Sequence, residues 1–463
     1  MSASLTQSHI CIILCYSKAM VYDPTIMLSI EGLGIMHKQT LDLSPLREQF
    51  PALQETDDQG RPYVYFDGPG GTQVPQAVID ATAAYFRLAN ANHGGLFITS
   101  RRNDETIEQA RVAVADFLNA PTPQEIMFGA NMTTLTFALS RAIGRIFKPG
   151  DEIIVTRMDH DANIAPWVAL EEKGVVIKWA DFDVKRFRLD LDHLNSLITD
   201  RTKLVAVGYA SNAIGTINPI KHIANMVHRV GAWLWVDAVH YAPHRPIDVQ
   251  ELGCDFLICS AYKFFGPHVG VLWGRLGLLE LVSAYKVRPA DSNPPGKFET
   301  GTLNHEGIAG VTASINYLAG VGRVYGNELH LKGAGIREIY EGRRKELKLA
   351  MNAIAAYERP LFAYMLEQVQ ETPGITIYGI TNPEEFAERC PTLAFTRKGF
   401  TPQAIAAYLG NHGIFVWDGN YYAVNVTERL GLEGSGGMVR VGLAHYNTPD
   451  EVDRMVTALR EMK

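Results

Sequence analysis

Lys263 lies in the segment Ile258-Cys-Ser-Ala-Tyr-Lys-Phe-Phe-Gly-Pro267, a short interval after Asp237, which closes the apolar run Ala232-Trp-Leu-Trp-Val-Asp237. A lysine amine condenses with an aldehyde, and an aspartate at the end of a buried strand can hold a pyridine nitrogen protonated. The pair therefore reads as a site for pyridoxal 5'-phosphate, whose protonated ring takes up the electrons of a carbanion. At an effective dielectric of about 20, an ion pair at ~4 Å gains about 4 kcal/mol, or roughly three pKa units. That is enough to keep a weakly basic ring nitrogen charged. Taken singly, either residue is ordinary: most lysines are solvated surface charges, and most strand-end aspartates cap helices or turns.

Other strand ends carry compatible groups. Phe128-Gly-Ala-Asn-Met-Thr-Thr-Leu-Thr136 passes from a strand into a helical pattern that runs to Ile146. Free amides at a helix start, with the hydroxyls of Thr133 and Thr134, suit a phosphate; plain N-capping is the alternative. His160 follows the strand Ile153-Ile-Val-Thr156, and its flat imidazole can stack on a planar ring. A lone histidine is more often a satisfied loop or core residue. Asn212, in Ser211-Asn-Ala-Ile-Gly-Thr216, and Ser260 end two further strands, where the first could meet the cofactor's phenolic oxygen and the second its phosphate. Coincidence accounts for one or two such placements but poorly for all of them.

These groups need a scaffold that brings strand ends together. Helical spacing covers residues 78–90, 107–118 and 220–230, and compact apolar runs cover 152–156, 175–180, 204–209, 233–236, 256–260 and 269–273. Buried strands alternating with helices imply a three-layer α/β/α domain with a mainly parallel sheet, which gathers ligands at the carboxyl ends of its strands. After about residue 320 the pattern changes to a long helix over 336–370, strands over 376–378 and 392–395, and a last helix from residue 449. We expect a large domain over residues 41–325 and a smaller α+β domain over 326–463. Residues 1–40 form a poorly defined extension, in which Met20, Met27 and Met36 allow a start downstream of residue 1 and a folded part beginning near His37. Packing of this stretch on a partner subunit is the alternative.

Composition narrows the function class. The 463 residues are 47% hydrophobic with a net charge of −7 and no long basic block, so nucleic acid and membrane surfaces are poor partners and small molecules better ones. Cys11, Cys15, Cys254, Cys259 and Cys390 form neither a disulfide framework nor a metal-ligand pattern, which suits a reducing, cytoplasmic setting without a metal. The apolar run Ile10-Cys-Ile-Ile-Leu-Cys-Tyr16 is too short to span a membrane.

From about residue 45 to the end, the chain resembles the class V aminotransferase superfamily of fold type I pyridoxal phosphate enzymes, and within it the cysteine desulfurase-like proteins. The motifs are Tyr65-Phe-Asp-Gly-Pro-Gly-Gly-Thr72, Asn90-Ala-Asn-His-Gly94, Met158-Asp-His-Asp-Ala-Asn163, Ser211-Asn212 with Gly215-Thr216, Val236-Asp237 and Ser260-Ala-Tyr-Lys263. The resemblance implies that Lys263 is the Schiff-base lysine and catalytic base, that Asp237 pairs with the pyridine nitrogen, and that His160 stacks on the ring. It also gives the phosphate to Thr133, Thr134 and Ser260. Thr302, in Glu299-Thr-Gly-Thr-Leu-Asn304, matches a threonine that reaches the phosphate from a second subunit, so a homodimer with shared sites is implied. Arg440, in Met438-Val-Arg-Val-Gly-Leu443, matches the arginine that takes the substrate carboxylate. Its planar fork suits a carboxylate better than a lysine would.

The chain departs from the desulfurases in three places. Where they carry a mobile loop with a nucleophilic cysteine, it reads Val416-Trp-Asp-Gly-Asn-Tyr-Tyr-Ala-Val-Asn-Val426. His240 stands where glutamine is usual beside the cofactor oxygen, and Tyr262 replaces a histidine before the lysine. His93, His305 and Tyr421 are further candidates to face the substrate. The expected substrate is a small amino acid, with desulfuration, β-elimination, transamination and epimerisation all open. A non-catalytic scaffold relative is the competing class, and the retained Lys263, Asp237 and Arg440 argue against it.

Overall fold

Seven strands form the central sheet: β1 (Ile126–Gly129), β2 (Glu152–Thr156), β3 (Val176–Ala180), β4 (Thr202–Gly208), β5 (Trp233–Asp237), β6 (Phe256–Ser260) and β7 (Gly270–Gly274). Their spatial order is β1-β7-β6-β5-β4-β2-β3. All neighbours run parallel except β7, which is antiparallel to both β1 and β6. The structure, a computed structural model, describes residues 41–326 and 339–463. The extension at residues 1–40, with Cys11 and Cys15, lies outside the described residues, as do 336–338 of the expected long helix, whose described part begins only at Gly342.

The principal helices are α1 (Gln76–Leu88), α2 (Ile98–Leu118), α3 (Met132–Ile143), α4 (Ile220–His228), α5 (His305–Tyr325), α6 (Gly342–Gln370), α7 (Pro402–Asn411) and α8 (Pro449–Glu461). Successive side chains of a strand point to opposite faces, so a sheet buried on both sides needs unbroken apolar runs. Leu234 and Val236 of β5 enter a core built with α2, α4 and α5, whereas Trp235 between them enters a second core with α3. Neighbouring strands alternate likewise: Val205 and Leu257 join the first core, Leu204 and Ile258 the second. The architecture is thus the expected three-layer α/β fold. No helix among the described residues is long and apolar enough to cross a membrane.

A second sheet, of four antiparallel strands, comprises β8 (Ile375–Tyr378), β9 (Thr392–Arg397), β10 (Trp417–Gly419) and β11 (Met438–Gly442) in the order β8-β9-β11-β10. Its core takes Leu361, Phe362 and Met365 from α6, Ile405 and Leu409 from α7, and Val452, Met455 and Leu459 from α8. Val64 and Phe66 join it from the other end of the chain, because Val64–Tyr65 pairs in parallel with Ile414–Phe415. That pairing delivers the turn after Phe66 to the end of β11.

Two helices differ most from their sequence pattern. α2 begins at Ile98 rather than near residue 107; its first turns, Ile-Thr-Ser-Arg-Arg-Asn-Asp-Glu-Thr, lack the apolar spacing that would mark them in the sequence. α5 is a 21-residue helix whose glycines obscured it. Glycine disfavours an isolated helix but permits close approach. At Gly322 a Cβ would lie 1.9 Å from the Glu346 carbonyl oxygen of α6, so the two helices pack through that missing side chain.

Candidate active site

Asp237 ends β5, and Lys263 stands on the single turn Ala261–Lys263 that follows the adjacent parallel strand β6. Asp237 is 7% exposed, and its Oδ1 accepts the Val239 amide at 2.9 Å. Burial drives its carboxyl up to about 7 against the pull of that amide, with the Asp159 charge adding to the rise. Burial and then the Arg440 charge hold the Lys263 amine down to about 7. Its Nζ donates to the Pro69 carbonyl oxygen and lies 4.9 Å from the centre of the Tyr262 ring. A lysine in this range can accept a proton near neutral pH.

His160 follows β2 on a turn fixed by its neighbour. Asp159 accepts hydrogen bonds from Thr156 Oγ1 at 2.6 Å, Asn163 Nδ2 at 2.7 Å and the Gly208 amide at 2.8 Å, which ties the ends of β2 and β4 together. His160 Nδ1 accepts the Ala162 amide at 3.0 Å, so a neutral ring carries its proton on Nε2. Burial, then the charges of Lys263 and Arg440, hold its pKa down to about 4, and the ring is neutral at physiological pH.

The first turn of α3 is braced from two sides. Ser260 Oγ accepts the Met132 amide at 3.0 Å, and Asn131 caps the helix by accepting the Thr134 amide at 2.9 Å. β7 closes on this corner so tightly that a Cβ on Gly270 would sit 2.5 Å from the Asn131 carbonyl carbon. Thr133 and Thr134 are exposed at this turn, while Ser260 is buried beneath it. Two side chains thus already serve the first-turn amides, so the capping alternative holds for part of the motif.

Arg440, on β11, is 5% exposed. Its Nη1 donates to the Asn212 carbonyl oxygen at 2.9 Å, its guanidinium lies 4.3 Å from the centre of the Tyr421 ring, and burial lowers its pKa to about 10. Arg440 Nε and Asn212 Oδ1 are buried without a hydrogen-bond partner among the described residues. Such atoms are costly to leave unpaired, at about 1–3 kcal/mol each, and mark where a ligand group fits. His240 is buried, with Nε2 2.9 Å from Thr392 Oγ1, and burial pushes its pKa well down.

The loop over residues 416–426 is clamped to these residues. Asn212 Nδ2 donates to the Tyr421 carbonyl at 2.9 Å, the Asp161 amide to the Tyr422 carbonyl at 2.7 Å, and Tyr421 Oη to the Met438 carbonyl. Tyr421 and Tyr422 both have left-handed backbones, with φ of 56° and 59°. Cys254, Cys259 and Cys390 are all buried; burial pushes the Cys390 thiol up to about 12 and the other two further.

Lys263, Asp237, His160, His240 and Arg440 lie within electrostatic reach of one another in overlapping groups, and Asn212 touches Arg440 directly. Thr302 stands apart, exposed on a loop that Glu299 anchors through Arg111 at 2.6 Å and the Phe128 amide at 2.8 Å. His93 is exposed, and His305 is buried against Tyr85. Asp67 and Tyr422 also border the site. Asp67 follows the short strand Val64–Tyr65, but its unpaired oxygen is a property of packing that the sequence does not mark, and nothing in the sequence singles out Tyr422.

Known proteins share the sequence pattern and the fold of this chain. The model of the aminotransferase class-V family matches residues 64–332 and 345–455. The chain is 34% identical over 435 residues to an aminotransferase-like protein of Gibberella zeae, covering 92% of this chain and 99% of the relative. It is 33% identical over 437 residues to a cysteine desulfurase of Synechococcus elongatus, covering 91% of this chain but only 64% of that longer protein. A crystal structure of a cysteine desulfurase from Escherichia coli superposes with a TM-score of 0.74 at 28% identity, covering 89% of this chain and 96% of that one. The chain belongs to the class V aminotransferase family, with cysteine desulfurases among its relatives.

Proposed function

We propose that the protein is a pyridoxal phosphate-dependent enzyme that takes a small amino acid and breaks a bond at or next to its α-carbon. The observation that carries this is the pair of buried, oppositely shifted groups on adjacent strand ends, Lys263 and Asp237, each drawn to about 7. Outside a functional site such a pair is poor design, since each is costly to bury charged. The residues fit the cofactor. Asp237 lacks a full counter-charge that a pyridine nitrogen would supply, and the orphaned Asn212 Oδ1 and Arg440 Nε await polar partners.

When bound, the cofactor supplies an electron sink for the pair released at the substrate α-carbon. Asp237 would hold the ring nitrogen protonated, His160 would lie on the ring face, and Asn212 and His240 would serve the phenolic oxygen. Thr133, Thr134 and Ser260 would hold the phosphate at the start of α3, where the helix dipole favours an anion. Arg440 would fix the substrate carboxylate, and Lys263 would take the α-proton on Nζ and return it.

Among the reaction branches, C–S or β-lyase, transaminase and epimerase chemistry are favoured over persulfide formation. A persulfide route needs a reachable thiolate, and the three described cysteines are buried with raised pKa values. Incubation with a panel of amino acids, L-cysteine included, with sulfide, pyruvate, alanine and keto acids assayed together, separates the branches. Alanine with sulfide would restore the desulfurase reading, and pyruvate with sulfide would indicate β-elimination.

A homodimer belongs to the same proposal. A groove of about 650 Å³ runs from Gly71 and Tyr262 along α1, past Ile79 and Phe86, which are 42% and 53% exposed. A second copy would cover this apolar face and bring its Thr302 to the phosphate. A cytoplasmic setting is likewise proposed, resting on unpaired Cys254, Cys259 and Cys390.

A further inference from the structure

The turn at residues 67–71 borders the same site and carries a carboxylate with no task in the proposed reaction. Its backbone is tied on one side to the strand that bears Arg440: Asp67 bridges in parallel to Gly442, whose amide donates to the Phe66 carbonyl at 2.8 Å. The approach is so close that a Cβ on Gly442 would lie 2.1 Å from the Pro69 ring. On the other side the turn meets the lysine. Lys263 Nζ donates to the Pro69 carbonyl, and the Thr72 amide donates to the Tyr262 carbonyl at 3.0 Å. One short turn is therefore pinned both to the arginine strand and to the lysine turn.

Within it, Asp67 Oδ1 is buried and has no hydrogen-bond partner among the described residues. The charged groups in its electrostatic reach are Arg440 and Lys263, and the phenols of Tyr65 and Tyr446 feel its charge. A buried carboxylate oxygen left unpaired within electrostatic reach of Arg440 and Lys263 is an acceptor without a donor among the described residues.

We propose that Asp67 docks the α-ammonium group of the incoming substrate, so that Arg440 and Asp67 together read the zwitterion of an α-amino acid. This rests on Arg440 taking the carboxylate. One carbon separates the two charged groups of an α-amino acid, so a carboxylate seated on Arg440 carries its ammonium toward the Lys263 side, where Asp67 lies. The pairing gives the site a selection that Arg440 alone cannot make: amino acids are accepted, and carboxylates without the amine are not. Burial raises the Asp67 carboxyl to about 6, so it is charged at neutral pH and lost on mild acidification.

The test is calorimetric titration of the cofactor-free protein with L-alanine and with propionate, its deaminated counterpart, in wild type and Asp67→Asn. Wild type is expected to prefer alanine. The variant is expected to lose alanine affinity at least tenfold while keeping propionate affinity within about twofold or gaining it. A parallel loss of both ligands, unchanged alanine binding, or a wild type without preference for alanine would overturn the proposal. Should the variant not fold, wild type titrated from pH 7.5 to 5 serves instead, with alanine affinity expected to fall relative to propionate. Loading with pyridoxal phosphate and borohydride labelling of Lys263, run on the same samples, separates failure of this inference from failure of the cofactor reading.

Discussion

The ring of Tyr422 lies over that of His160, with centroids 5.4 Å apart and planes tilted by 26°. Tyr422 is 71% exposed and holds a left-handed backbone, which costs a non-glycine residue about 1–2 kcal/mol. The contact persists because the clamped loop holds it there. The loop thus places an aromatic ring beside the imidazole.

Strain and packing at Tyr422 can be separated. Tyr422→Gly removes the ring and relieves the backbone, whereas Tyr422→Ala removes the ring and keeps the strain. The glycine variant is expected to be more stable than the alanine variant by about 1 kcal/mol, measured by urea unfolding. Equal stabilities would show that the left-handed conformation is not strained.

Asp237 should destabilise the protein when the cofactor is absent. Its folded pKa of about 7 is raised above the ordinary 3.8, so its stabilising effect is full below pH 3.8 and is lost as pH rises through 7. Cofactor-free Asp237→Asn is therefore expected to be more stable than cofactor-free wild type at pH 8, on the order of 2 kcal/mol, with little difference at pH 4. Thermal melts at the two pH values check this. The variant should also bind pyridoxal phosphate more weakly, reversing the order of stability in the loaded state.

Arg440→Lys keeps the charge and loses the planar fork, the Asn212 contact and the stacking on Tyr421. KM for the amino acid should rise roughly 30- to 100-fold, equivalent to about 2–3 kcal/mol, with a smaller change in kcat. A KM within threefold of wild type would place the carboxylate elsewhere.

Cys390→Ser should leave the product spectrum unchanged, because the thiol is buried and raised to about 12. Loss of sulfide release from L-cysteine, with the fold intact by circular dichroism, would make Cys390 the persulfide carrier.

The sheet was legible because buried parallel strands are unbroken apolar runs: β2 and β6 have the bounds their sequence suggests. Lys263, Asp237 and His160 were legible for a related reason, since each follows such a run. α5 was not, because its glycines serve the neighbouring α6 rather than its own helix. Asp67 also escaped notice, since its unpaired oxygen is a property of the turn packed between Gly442 and Tyr262, which no local pattern records.

The most direct test of the account is to load the folded protein with pyridoxal phosphate, reduce it with borohydride and map the adduct by peptide mass spectrometry. The label is expected on Lys263, with an absorbance band that shifts on adding an amino acid before reduction. A loaded, reduced sample with no label at Lys263, or with label only on surface lysines, would contradict it.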